Sequence, residues 1–303
     1  MEKTYKDKVL QDLVDKAIGT YRDNLKLEAL DQNSTKHEVA QVDEGLVNRT
    51  KTRLYHEEIK RQQNLEDIFE CADEMLSNKL EREKKAVDDD WTFHFVRFAK
   101  DISEESMKKR WGKLLAGEIE SPGSYSLRMM ILLSQMTKRE AEIVNKFLQR
   151  GLFSDNKRNA VVLRSKGENN DLDLSNLLFM QELGLIDAND SLSITYNNVG
   201  YKTNERNVVF ERNGTGLVFS FQTEMIEFPV YKFTSIGREF LLLNKEIEVD
   251  TDYLKKVSQS IYEDKDTKVN VLCCKIEYPA PGQWTIISNE MLFEIKGKYI
   301  ENS

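Results

Sequence analysis

The chain has 303 residues, of which 40% are apolar and 32% are charged, and its formal net charge is −8. This length accommodates two domains of ordinary size, each with its own core. The longest apolar run covers only residues 129–133, and residues 1–12 lack the apolar core of a signal peptide. We therefore expect no membrane span and a cytoplasmic protein.

The distribution of charge and cysteine excludes two further classes. Residues 1–150 carry a net charge of about −2 and residues 151–303 about −6. Neither half has the overall basic character of an avid binder of nucleic acid. The three cysteines, of which Cys273 and Cys274 are adjacent, fit neither a disulfide framework nor a metal motif. We interpret them as reduced, packed thiols.

The first half of the chain predicts helices. One helix is expected over residues 4–29, with residues 31–35 breaking it, and a long helix over residues 37–86. We assign residues 1–34 to an N-terminal helix and residues 35–150 to a helical domain. Apolar residues at gaps of three and four predict a buried face on the C-terminal half of the long helix. They are Leu65, Ile68, Phe69, Ala72, Met75, Leu76 and Leu80.

The middle of this long helix is mostly polar and offers only Leu54, Tyr55 and Ile59 for burial. Because an isolated polar helix of this length is seldom stable, we expect a packing partner. The sequence therefore predicts self-association or contact with another protein through residues 39–64, although the heptads are too irregular for a regular coiled coil.

Residues 88–120 predict two short helices. The acidic run from Asp88 to Asp90 fits helix capping before an aromatic segment that begins at Trp91. Ser103 is expected to begin the next helix, on which Trp111 and Glu118 share an apolar stripe. A carboxylate on such a stripe requires a partner, because burying an unpaired charge is costly.

Ser121, Pro122 and Gly123 are expected to end that helix, and Ser124 is a candidate cap for the following one. An antiparallel helix pair around this turn would bring Glu118 close to Arg128, or to the hydroxyl of Ser124 or Ser126. This polar group has two alternative roles: it fixes the turn, or it serves as a recognition point at the end of a helix.

Four sequence elements stand out in the helical half: R-Q-x-N at Arg61, Gln62 and Asn64; D-W at Asp90 and Trp91; W-x-x-L-L-A-G-E from Trp111 to Glu118; and P-G-S-Y-S-L-R, which includes Pro122, Gly123, Ser124, Ser126 and Arg128. Together, and in this order, they resemble a bacterial family known as Domain of Unknown Function 2806. The close resemblance covers about residues 35–150, with weaker similarity beyond. The helix and turn at Trp111 to Arg128 are more distantly similar to the abortive-infection alpha family linked to phage resistance. The family implies no established reaction and supplies no catalytic residues.

The second half predicts an α+β fold. Residues 151–248 are interpreted as a winged-helix-like α+β domain, with a hairpin around Asn213 and Gly214, an edge strand containing Pro229, and a helix capped by Thr234. Residues 249–303 are interpreted as a small α/β region, one helix followed by two strands. Gly112, inside a predicted helix, indicates close backbone packing.

The sequence contains none of the common phosphate-loop, dinucleotide, serine-hydrolase or zinc-protease motifs, and no cofactor or metal site is predicted. The three histidines lie on separate helical segments. Glu294 and Lys296, with Asp264 or Asp266, can be fitted to a nuclease pattern, but such spacings arise readily by chance in so charged a chain.

Two functions from different classes remain. The first is a non-enzymatic interaction or sensor protein in bacterial phage defence, acting through protein–protein contacts. The second is a nucleic-acid-associated regulator that uses the winged-helix-like module, with Lys108, Lys109 and Lys113 on one helix as candidate contacts. A nuclease is a third, weaker alternative.

Overall fold

The structure is a computed structural model, and it describes residues 5–15, 44–77, 86–154, 159–164, 173–197, 206–263, 269–280 and 283–296. The chain divides into two compact units, residues 1–138 and residues 139–303. The first unit, as described, is helical, and the second is built on an antiparallel sheet. Taken together they form an α+β protein, as the sequence predicts.

The helical unit contains five described helices. Helix α1 is described over residues 8–15, and it is followed by α2 (Glu44–Ser77), α3 (Asp89–Ala99), α4 (Glu105–Glu120) and α5 (Leu127–Gln135). The remainder of the predicted first helix, and residues 37–43 and 78–86 of the predicted long helix, are outside these described helices. The amides of Lys6 and Asp7 both donate to Asp73 of α2, at 2.9 and 3.0 Å, which ties the start of the chain to the C-terminal half of α2.

The core of the helical unit lies where α2 packs against α3 and α4. Ile68, Ala72 and Leu76 of α2 are buried, as their spacing predicts. Gly112 of α4 faces them: a Cβ atom at this position would lie 2.6 Å from the Cβ of Cys71 and 3.2 Å from the carbonyl oxygen of Ile68. The prediction of close packing at Gly112 is confirmed.

The second unit begins with α6 (Lys138–Leu148) and continues as a nine-stranded sheet with three further helices within the described ranges. The helices are α7 (Leu174–Glu182), α8 (Ser235–Leu243) and α9 (Thr251–Glu263). The strands are β1 (Leu152–Ser154), β2 (Asn159–Leu163), β3 (Ile186–Asp187), β4 (Ser193–Asn197), β5 (Arg206–Arg212), β6 (Thr215–Phe221), β7 (Met225–Phe233), β8 (Val269–Ala280) and β9 (Gln283–Ile295).

The sheet has the order β3-β7-β2-β1-β5-β6-β8-β9, with β4 also pairing to β7. Strands β5 and β6 form the predicted hairpin, with Arg212 opposite Thr215 and a two-residue turn of Asn213 and Gly214. Both turn residues have positive φ, at 52° and 73°, which Asn and Gly tolerate best. The predicted cap by Thr234 is also present, since its hydroxyl accepts from the amide of Gly237.

The sequence analysis predicted a winged-helix-like domain and a separate C-terminal region, whereas the described strands of both belong to one sheet. Strand β8 pairs with β6 along residues 269–275 and β9 pairs with β8, so both strands extend the same sheet. Strands β1 and β2, which the sequence did not predict, connect β5 to β7 within it. Helix α6 belongs to the sheet unit, and its Phe147 ring contacts Phe233 of β7, so the division between units falls before the predicted Gly151.

Pro229 does not lie on an edge strand as predicted, because β7 pairs with β2 on one side and with β3 and β4 on the other. Its position still follows from proline chemistry. Pairing with β2 ends at Val230, opposite Leu163. The carbonyl of Pro229 then accepts from the amide of Arg164. The missing amide of Pro229 faces the same side, opposite the carbonyl of Arg164, so the proline removes one bond at the very end of the β2 ladder and none toward β4.

Candidate functional site

The motif residues of the helical unit meet at the turn between α4 and α5. The indole nitrogen of Trp91 on α3 donates to the carbonyl of Tyr125 in the turn, at 2.8 Å. The ring of Tyr125 in turn covers Gly117 of α4, where a Cβ atom would lie 2.7 Å from Tyr125 Cε2. The glycine of the L-L-A-G-E element is therefore required by an aromatic ring that approaches the helix backbone closely.

Glu118 is the polar centre of this cluster. Its side chain is buried, and its residue is 1% exposed. One carboxylate oxygen accepts from the amide of Gly123 at 2.5 Å and the other from the amide of Tyr125 at 3.0 Å. Gly123 has a φ of 86°, which a residue with a side chain rarely adopts. The carboxylate therefore satisfies two backbone donors that the reversal of the chain leaves without helical partners.

This arrangement corrects the expected partner of Glu118. The expected ion pair with Arg128 is replaced by the two backbone amides, and the Arg128 side chain is exposed. The cap of α5 is Ser126, whose hydroxyl accepts from Met129, whereas the Ser124 hydroxyl donates back to the carbonyl of Ser121. Gly123 lies only five residues from Glu118 along the chain, so the Glu118 carboxylate lies within hydrogen-bond distance of the turn amides and not of Arg128.

Trp111 packs beneath the turn. It is fully buried, and its ring lies 5.3 Å from that of Phe95, which stacks in turn on Trp91 at 5.2 Å. The D-W and W-x-x-L-L-A-G-E elements thus supply one continuous aromatic row. Asp90 is exposed on α3, with an oxygen 3.8 Å from Nε2 of His94, while Asp88 caps the helix by accepting from the amide of Trp91. The capping interpretation of the acidic run is confirmed at Asp88, and α4 starts with Glu104 as its cap in place of Ser103.

The R-Q-x-N element connects α2 to the end of α3. Asn64 is buried and donates to the carbonyl of Lys100 at 2.9 Å, which satisfies a free carbonyl at the helix end. Arg61 bridges Glu58 at 2.6 Å and Asp101 at 2.9 Å, and these hydrogen bonds raise the pKa of its guanidinium. Gln62 points elsewhere and donates to Glu66 on the same helix.

The three lysines expected to contact nucleic acid do not form one exposed group. Lys108 is buried at 6% exposure, and its ammonium pairs with Asp67 at 2.7 Å and Glu105 at 3.0 Å. Lys109 is exposed, and Lys113 is half-buried. Lys108 therefore links α2 to α4. It faces inward because it lies three residues before the buried Trp111, on the same side of α4.

The sequence analysis missed two residues that make important contacts, Tyr125 in the helical unit and Arg212 in the sheet unit. Tyr125 supplies the carbonyl and the ring at the turn, and the small Gly117 opposite it is the one sequence signal of that contact. In the sheet unit, Arg212 is buried, and its guanidinium donates to the carbonyls of Leu148 and Asn244, the latter at 2.7 Å. Burial lowers the pKa of Arg212 to about 10. It satisfies the C-terminal carbonyls of α6 and α8.

The described residues offer no cluster of His, Cys, Asp and Glu that could hold a metal ion. Of the residues fitted to a nuclease pattern, Glu294 Oε2 lies 3.6 Å from Lys296 Nζ. Asp264 and Asp266 are outside the described residues. Burial raises the pKa of the Cys273 thiol to about 12, which disfavours the thiolate. The motif cluster is made of helix caps, backbone hydrogen bonds and packed rings, an arrangement suited to holding a helix pair in position.

The N-terminal part of α2 is an accessible surface of the helical unit. No residue from 45 to 63 is buried, although the same helix is buried from Asn64 onward at regular intervals. Four large apolar side chains are exposed there, with Tyr55 the most exposed at 66%. They are Leu46, Leu54, Tyr55 and Ile59. We call residues 45–63 the arm.

The fold and the motif cluster define an α+β protein. In its helical unit, side chains of the motif elements stabilise the turn between α4 and α5, and α2 extends beyond the core of the unit. The chain belongs to the DUF2806 family of proteins of unknown function, whose family model matches residues 48–258. The match includes most of the arm and much of the sheet unit, so it covers both the region of close resemblance and much of the region in which the sequence showed weaker similarity. Neither the curated proteins nor the solved structures contain a match to this chain. Within the described ranges, no helix is long and apolar enough to cross a membrane.

Proposed function

We propose that this protein is a non-enzymatic interaction or sensor protein of bacterial phage defence, which acts through protein–protein contacts made by residues 39–64. The exposure of the arm is the observation that carries the proposal. Helices in water take most of their stability from packing, and nineteen residues without a buried side chain lack that contribution. Leu46 and Leu54 continue the buried face of α2 upstream, which favours burial of this face against a protein.

The motif cluster supports the same role by fixing the base of the arm. Asn64 and Arg61 join α2 to the end of α3, and Lys108 joins it to α4. These links hold the direction of α2 relative to its own unit, so the arm is presented as a fixed element. The link to phage defence rests on the resemblance, inferred from the sequence, of the Trp111 helix and the following turn to the abortive-infection alpha family.

Self-association is the first form of the proposal to test. Light scattering after size exclusion should give a mass above the 35.3 kDa of one chain. Replacing Leu54 and Ile59 by Gln should restore the mass of one chain, because it removes apolar area from the arm while preserving helix propensity. The control replaces the exposed Leu174 and Leu178 of α7 by Gln and should leave the mass unchanged.

A monomeric mass for the native chain at all concentrations would exclude the self-association form. The heterologous form is then tested by purifying tagged native protein from bacterial cells before and during phage infection. A defined protein partner that is lost with the arm variant and kept with the α7 variant would support it. Equal recovery with both variants would show that the arm is not the contact surface.

A further inference from the structure

Three cationic side chains of the arm and one histidine form a stripe, whereas Lys51 and Arg61 lie on the face that carries Leu54. Arg49, Arg53, His56 and Lys60 follow one another at gaps of four, three and four residues. At 100° per residue these positions fall within an arc of about 60° and extend over about 16 Å of the helix. Arg49, Arg53 and Lys60 each carry a formal positive charge, and all four residues are exposed.

The stripe lies on a different face from Leu54. On the same helical projection it lies roughly 110° from the buried face of Asn64, Ile68, Ala72 and Leu76, onto which Leu54 falls. A protein partner that covers Leu54 would thus leave most of the stripe open to solvent. Leu46 borders the stripe, because it lies three residues before Arg49 on the helix.

The local charge is opposite to that of the whole chain. Residues 45–56 contain no acidic side chain, and the arm carries a net charge of about +3 in a protein whose net charge is −8. Glu57 pairs with Arg53 at 2.6 Å, but both side chains are well exposed, and such pairs contribute little and are readily exchanged. Clustered cations on one exposed helix face are the electrostatic pattern that phosphate backbones select.

We propose that the stripe of Arg49, Arg53 and Lys60, with His56 between them, binds the phosphate backbone of a nucleic-acid duplex. Its length matches the axial span of about five phosphates of one strand. The contact is independent of base sequence, because a row of cations that binds phosphates fixes position on the duplex and carries no base information. The inference stands on the charge pattern and does not rest on the protein–protein contact proposed above.

The test uses the full-length protein and a fluorescently labelled 20-base-pair DNA duplex of arbitrary sequence. Anisotropy titrations over a range of salt concentrations give the affinity and its salt slope. The variant carries Arg49→Gln, Arg53→Gln and Lys60→Gln, which keep good helix formers at each position. The control carries Arg128→Gln, Lys245→Gln and Lys255→Gln, three exposed cations elsewhere with the same change of charge.

The native chain should bind the duplex with a steep salt dependence. The arm variant should bind at least about tenfold more weakly at low salt, with a salt slope reduced by about three, one unit for each lost phosphate contact. The control variant should retain the native slope. A duplex RNA and a single-stranded DNA of the same length show which nucleic acid is preferred.

Three outcomes would overturn the proposal. One is the absence of binding by the native chain to any of the three nucleic acids at low salt. Another is an equal loss in both variants, which would mean that net charge alone matters. The third is arm-dependent binding of polyglutamate without binding of nucleic acid, which would assign the stripe to an acidic polypeptide. Matching helix content by circular dichroism shows that the variants are folded. Loss of nucleic-acid binding with unchanged mass in solution separates this result from the self-association test.

Discussion

At the scale of single residues, Glu118 shows how a buried charge is used without chemistry. Two amides of the turn donate to its carboxylate, and the indole of Trp91 donates to the carbonyl that follows. Three backbone groups of residues 123–125 are thus satisfied by side chains. Three of the four family elements contribute a donor, an acceptor, a ring or a glycine to this network, whereas R-Q-x-N joins α2 to the end of α3.

Glu118→Ala should lower the free energy of unfolding by about 2–4 kcal/mol, because it leaves two backbone amides without their acceptor. Glu118→Gln should cost less, about 1–2 kcal/mol, because one acceptor oxygen remains. Urea denaturation measures both. The control Glu142→Ala, at an exposed position of α6, should stay within about 0.5 kcal/mol of the native value. Equal stability of Glu118→Ala and the native chain would contradict the role of the carboxylate.

At the scale of elements, the contact of α2 with α4 depends on the missing side chain of Gly112. Helix propensity favours alanine over glycine by up to about 1 kcal/mol in a helix interior. The close approach of Cys71 and the Ile68 carbonyl opposes this gain. Because the neighbouring atoms include backbone of α2, they cannot yield without separating the helices.

Gly112→Ala is therefore expected to destabilise the protein by about 1–3 kcal/mol, as overpacking does, in spite of its better helix propensity. The midpoint of thermal unfolding measures the effect. Lys109→Ala, on the exposed side of the same helix, should leave the midpoint nearly unchanged. A rise in the midpoint for Gly112→Ala would mean that α2 and α4 do not approach as closely as described.

At the scale of the whole molecule, the three cysteines report on both units. Cys71 is half-buried in the helical unit, whereas Cys273 and Cys274 are buried on β8 of the sheet unit. Burial raises the pKa of each of the three thiols, and to about 12 for Cys273. Reaction with a thiol reagent requires the thiolate, which is scarce at pH 8 under these conditions.

The native chain at pH 8 should therefore react slowly at no more than one thiol, Cys71, and should react at all three in denaturant. Mass spectrometry after pulsed labelling identifies the modified positions. A Cys71→Ser chain should be unreactive until the sheet unit opens. Rapid labelling of Cys273 or Cys274 in the folded protein would show that β8 is accessible.

The sequence determined the local structure because its signals are local. Spacing of apolar residues predicted the buried face of α2, Asn213 and Gly214 predicted the hairpin, and Gly112 predicted a close helix contact. The acidic run was correctly interpreted as a cap, since capping involves residues three positions apart. The long polar stretch of α2 was likewise recognised as a helix without a core of its own.

Only the tertiary structure decided which distant groups meet. Glu118 accepts from two backbone amides, whereas the sequence predicted a pair with Arg128. Lys108 faces inward and pairs with Asp67. Neither contact was predictable, because the amino-acid sequence does not show which backbone donors are near a side chain or how a helix is rotated. The short strands β1 and β2 carry too few residues for a clear alternation, yet they join all other strands into one sheet. Sequence patterns record neighbours along the chain, whereas strand order, burial of charge and the open face of the arm depend on contacts between residues far apart in it.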